Sequence, residues 1–184
     1  MKIVTKIIFL LLLLSVAAAA KRRDPLTEAE VDQLREMAMD PYNRIKLMIK
    51  FSEARLAAID QVRLDPKLGD ERGKRVHDLL EDFASLIDEI NDNLDQYEGR
   101  ALDKDTVKQY HKGLKELIEA DGRFDLKLQA LKSASETDPV LRKEAPDFRY
   151  VLMDAMDIVK SNADVAREYM ETTHDQKVPS EKKK

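Results

Sequence analysis

From Leu26 to Tyr169 the apolar residues recur three or four positions apart, the spacing of a helix with one buried side, and no sustained period-two run is present. The clearest stretch is Val76, Phe83, Ile90 and Tyr97, one every seven residues, flanked by Leu79, Leu80, Leu86, Ile87 and Leu94. A seven-residue beat held this long predicts knobs-into-holes packing against other helices.

Punctuation sets the predicted ends. Thr27 with Glu30 forms a capping box, opening a short helix to about Asp40. Asp40-Pro41 places a capping residue before a proline at the first helical position, and the helix it opens runs to about Leu64. Asp65-Pro66 stops that helix, because proline disfavours helical geometry in the residue before it. A second long helix is expected from about Asp70 to Glu98, ending at Gly99. A third starts near Asp103 or Asp105 and ends at Asp138-Pro139, with Tyr110, Leu114, Leu117, Phe124 and Leu128 on its stripe. The fourth is expected to start with Pro146 at its first position and to carry Phe148, Leu152, Ala155, Val159, Ala166 and Tyr169. Short connections make chain neighbours antiparallel. The expectation is all-α: an up-down-up-down four-helix bundle with a short extra N-terminal helix. Asp65-Pro66-Lys67-Leu68 and Asp138-Pro139-Val140-Leu141 lie 73 residues apart, as do Phe51 and Phe124. Either two related hairpins or the common use of Asp-Pro as a helix stop accounts for this.

The first twenty residues follow another rule. Lys2 and Lys6 precede the apolar run Ile7–Val16, broken only by Ser15, and Ala17–Ala20 supply a small-residue cleavage site. This is the pattern of a secretory signal peptide over residues 1–20, cut after Ala20. As a helix, the stretch from Ile7 to Ala20 would reach only about 21 Å, short of a hydrocarbon core of about 30 Å. Lys21, Arg22 and Arg23 pull the other way, since positive charge there resists translocation, so a retained anchor is the alternative. The division is residues 1–20 leader, 21–26 basic segment, 27–173 helical domain and 174–184 polar, disordered tail. The expected location is exported, periplasmic or extracellular.

Charge and composition then remove function classes. Without residues 1–20 the formal net charge moves from −4 to −6, and no basic footprint for nucleic acid remains. The absence of cysteine excludes disulfides, thiolate metal sites, a cysteine nucleophile and a lipoprotein anchor. Gly69-Asp70-Glu71-Arg72-Gly73-Lys74-Arg75 has three residues between its glycines where a phosphate loop needs four, and Arg75 stands where Ser or Thr is needed. Asn91, Asn93 and Asp95 have the first spacings of a calcium loop, but Gln96 and Leu102 occupy the positions of its glycine and glutamate. Glu171 and His174 make one Glu-x-x-His pair where a di-iron bundle needs two. His77 and Glu81 read as an exposed pair, and His111 as an interior histidine at a stripe's edge. Met37, Met39, Met153 and Met156 read as gap-fillers. No metal, cofactor or catalytic set follows. Leu26-Thr27-Glu28-Ala29-Glu30 with Gln33-Leu34-Arg35 resembles the Leu-Thr-x-x-Gln motif of small periplasmic helical stress chaperones over about ten residues. Glu30 replaces the motif's glutamine and there is no second copy, so these residues are read as a capping box.

One anomaly remains. Arg55 falls among Met48, Phe51, Ile59 and Val62; Asp121 falls near the line of Val107 and Leu114; Asn162 lies between Ile158 and Val165. Antiparallel pairing puts all three at one height. They are the candidate ligand-binding residues: a mid-bundle polar layer with Arg55 paired to Asp121 and Asn162 completing the hydrogen bonds, serving either helix register or a small anion. The alternative is that Gly122 shifts the phase of its helix and turns Asp121 to the edge. The functional expectation is a non-catalytic protein with a protein partner in the cell envelope, monomeric or weakly dimeric, touching membrane only through an uncleaved leader. Small-ligand or metal binding, or an enzyme built on the polar layer, is the second reading, and an anchored stalk the third.

Overall fold

In the computed structural model, residues 24–97 and 103–175 are described. The expected leader, residues 21–23 of the expected basic segment, the expected helix end at Glu98 and Gly99, and most of the expected tail lie outside them. The described residues are all helical: α1 (Glu28–Glu36), α2 (Pro41–Leu64), α3 (Arg72–Asp95), α4 (Lys104–Thr137) and α5 (Pro139–Asp175), with a single 3-10 turn at Gly69–Glu71. None is long and apolar enough to cross a membrane.

The ends are local chemistry. Thr27 and Glu30 bond each other's backbone amides in a complete capping box, and α1 then closes in turns at Met37–Met39, short of Asp40. Asp40 accepts from Asn43 N with Pro41 behind it. Asp103 accepts from the amides of Asp105 and Thr106. Asp138 accepts from Val140 and Leu141, so α5 starts at Pro139, seven residues before Pro146. Pro146 therefore sits inside α5, where it removes the amide that would bond the carbonyl of Arg142. The Asp-Pro pair that ends one helix also caps the next. α5 continues to Asp175, into the segment expected to be tail.

Each long helix packs against two others: α2 on α3 and α4, and α5 on α3 and α4. Arg44 Nε donates to Asn93 Oδ1 at 2.6 Å, joining the start of α2 to the end of α3, so these two run antiparallel. α4 and α5 are joined through Asp138 alone and pack against each other, so they are antiparallel as well. Across the other two seams the helices run parallel. Arg123 meets Glu53 at 2.8 Å and Lys127 meets Asp60 at 3.6 Å between α4 and α2. Tyr169 Oη donates to Asp95 Oδ1 at 2.6 Å between α5 and α3. The chain neighbours α3 and α4 are thus not a close-packed pair. They face each other across the core, where Phe83 and Phe124 meet edge to face at 5.3 Å. A short connection fixes direction and leaves the choice of neighbour open.

This arrangement sets two hairpins, α2–α3 and α4–α5, side by side. The 73-residue spacing is a structural spacing too: Asp65 accepts from Lys67 N as Asp138 does from Val140 N, both at 2.8 Å.

The core holds the heptad residues Val76, Phe83 and Ile90 with Leu80, Leu86, Ile87, Leu114, Leu117 and Phe148. Gly73 belongs to its rim, because a Cβ there would lie 2.5 Å from Asp147 Oδ2 and 3.1 Å from the Glu144 carbonyl on α5. The methionines divide. Met48 is fully buried and Met156 packs against the core, but Met39 and Met153 are 94% and 54% exposed and fill no gap. Met39 lies in the turn after α1, and Met153 on the outward side of α5.

Candidate functional site

α4 brings Asp121 and α5 brings Asn162 into the sealed seam between them. Both are buried, at 1% and 0% exposure. Asn162 Nδ2 donates to both carboxylate oxygens of Asp121, at 3.0 and 2.9 Å. Asn162 Oδ1 is itself buried and accepts nothing. Burial pushes the Asp121 carboxyl up to about 7, against the pull of Asn162's hydrogen bonds and of Arg167's charge. Gly122 does not shift the helix. α4 runs through it unbroken, so Asp121, Phe124 and Leu128 share one buried face while Gly122 is exposed.

Arg55 is not part of this pair. Its guanidinium grips both oxygens of Glu30 at 2.6 Å and also donates to the carbonyl of Pro25 at 2.7 Å. The side chains of Arg55 and Glu30 are each 13% exposed. The reason is geometric. Arg55 lies at the border of the α2 stripe, and α1 with its leading residues covers that border, offering a planar carboxylate to a planar fork. Arg55 first, then the Thr27 amide and hydroxyl, holds the Glu30 carboxyl below its ordinary value despite burial. The polar layer is therefore two devices: a neutral-to-anionic pair in the α4–α5 seam and an ion-pair clamp tying α1 to α2. Glu30 was visible in the sequence as a capping residue, and its surplus carboxylate was the signal that Arg55 had a local partner.

Replacing Arg55 by methionine is expected to release α1. The loss should be about 2 kcal/mol in urea denaturation, less than for a fully buried pair because both groups reach water. Hydrogen-exchange protection should fall in residues 28–36 and hold in α3 and α4. Unchanged protection of α1 would show that the clamp is not what holds it.

Elsewhere, Arg44 ties Asn93 to the Leu34 carbonyl, fixing the other end of α1. Glu89 is raised by burial first and then by the charges of Asp24 and Asp92, with Arg44 opposing. On the outer side of α3, His77, Asp78 and Glu81 place ligand-type atoms within 4.8 Å of one another. The other acidic residues of that side are exposed at Asp88 and Asp92 and half-buried at Asp82.

Grooves mark the surface of the described residues, and three of them bear on function. One of about 490 Å³ runs between α2 and α4, lined by Lys46, Lys50, Glu53, Glu116 and Arg123. Another, of similar size, lies beside Pro25, Ser85 and Asp88. The third, about 400 Å³, lies between the end of α4 and the start of α5. It is lined by Ala145, Pro146, Leu152 and Met153, with Lys132, Arg142, Arg149 and Glu136 around them. Tyr150, 67% exposed, lies beside it, with its hydroxyl 3.0 Å from Arg149 and its ring under that guanidinium. None of the three is lined by Arg55, Asp121 or Asn162. Comparison with family models, with curated proteins and with solved structures finds no match to this chain.

Proposed function

We propose that this protein is an exported, non-catalytic interaction module: an up-down-up-down four-helix bundle with a short extra N-terminal helix that binds a protein partner in the cell envelope or outside the cell. The observation that carries this reading is the α4–α5 groove. Ala145, Pro146 and Leu152 line it together with the exposed Met153, three cations stand around them against one glutamate, and one of those cations, Arg149, carries the exposed Tyr150 at the groove's edge. Aromatic, methionine and arginine side chains are those enriched where proteins meet. Ser135, the groove's hydroxyl, donates to the carbonyl of Lys132, so the lining favours contact over reaction. A ligand site at the polar layer is less well supported, because Asp121 and Asn162 are sealed from all three grooves.

The test is site-specific photo-crosslinking in cells that export the full chain. A crosslinker at position 153 is expected to capture one discrete partner that a crosslinker at Lys108, on an exposed part of α4, does not. Met153→Glu, with an unchanged helical circular dichroism spectrum, should weaken that partner's binding at least tenfold. Equal crosslinking from both positions, or full binding by the variant, would reject the groove as the binding surface. The mass of the exported chain reads the leader directly: a start at Lys21 supports export with cleavage, and a start at Met1 an anchored protein.

A further inference from the structure

We propose that Asp121 and Asn162 form a buried proton-binding site, in which a proton taken up by Asp121 is donated on to Asn162 Oδ1 in a reciprocal acid–amide pair. The geometry carries it. Among the described residues, this core carboxylate meets no cation at bonding distance, only one neutral amide whose two donor contacts come from the same nitrogen. That amide's own oxygen is left buried without a donor. One proton on Asp121 resolves both defects. It removes the buried charge, and the new O–H donates to the orphaned oxygen while Nδ2 keeps its bond to the other carboxyl oxygen, so two donors face two acceptors. No bond other than the O–H forms, and the proton comes from water.

Burial favours the neutral form, against two groups on α5 that favour the ionised one. α5 contributes Asn162 and, at longer range, the charge of Arg167, whose own ion pair is to Asp164 at 2.7 Å. At this height α2 and α3 present the buried Met48, Phe51, Ser52, Leu86, Ile87 and Ile90, none of them ionisable. The raised carboxyl follows from the same geometry. Proton binding is thereby tied to closure of the α4–α5 seam: the protonated pair holds the two helices together, and the ionised pair strains them apart.

Two measurements on the full chain test this. In carbon-13 NMR the Asp121 carboxyl should titrate with a midpoint at least two pH units above the ordinary aspartate value of about 3.9. Asp121→Asn keeps an amide pair and has no proton to lose. Relative to that variant, the wild type's folded-to-unfolded ratio should fall about tenfold for each unit of pH between about 5 and 6.5, the slope of one proton held by the folded state alone. A carboxyl midpoint near 4, or a wild-type-minus-variant difference that is flat with pH, overturns the proposal. The NMR titration needs only the wild type, so it decides even if the variant does not fold.

Discussion

Asn162→Leu is expected to destabilise the fold by roughly 2–3 kcal/mol at pH 8 and by only about 1–2 kcal/mol at pH 5. At pH 8 the wild-type Asp121 is ionised, and the variant strips that buried charge of its donor. At pH 5 the carboxyl is neutral in the folded protein, so the variant forfeits hydrogen bonds but strands no charge. The sign for the wild type follows the same reasoning. The folded-state value is raised to about 7. The folded state therefore holds a proton that the unfolded chain has released, and stability falls as pH rises from about 4 to 7, levelling above it. Glu30 runs the opposite way: its value is lowered by Arg55, so the clamp's contribution is present at neutral pH and is lost as the pH falls below the ordinary glutamate range. Urea denaturation of wild type and variant at the two pH values reads the difference. A loss from Asn162→Leu that is equal at pH 5 and pH 8 would show that Asp121 does not change its charge between the two conditions and would overturn the proton site.

Phe83→Ala should cost roughly 3–5 kcal/mol, from lost burial plus the cavity left behind. Phe83 is wholly buried and meets Phe124 edge to face where α3 and α4 oppose each other across the core. Because those two helices touch through side chains rather than close backbones, the site has little means of collapsing to fill the void. Phe83→Leu, which refills most of the space, should recover more than half of the loss. Thermal denaturation at fixed pH checks both, and a cost below 1 kcal/mol for the alanine variant would mean that α3 and α4 do not meet in this way.

The residues that were easy to read are those whose instructions are local. Thr27 with Glu30, Asp40 with Pro41 and Asp103 each name their own helix start, because a cap needs only a side-chain oxygen two or three residues from an unpaired amide. The heptad residues were legible for a related reason: burial of one helix side leaves a period whatever covers it. Asp121 and Asn162 stood out by breaking that period, and the same antiparallel arithmetic that placed them level also places them in contact. Arg55 broke the period as well, but its partner lies on a helix of nine residues whose docking no periodicity encodes. Pro146 misled because proline suits a first helical position, whereas Asp138 and Pro139 supply a stronger start just upstream. The crosswise placing of α3 and α4 was out of reach for a different cause. It depends on which apolar sides fit together, and every long helix here offers a similar one.

Where the chain enters the described fold has a mechanical corollary. Pro25 is fastened to Arg55, in the middle of α2, and lies beside Ser85 and Asp88, in the middle of α3. The described fold therefore begins at the waist of the rods and not at a tip, so a spectroscopic label placed at Asp24 would report on the middle of the molecule rather than on either hairpin end.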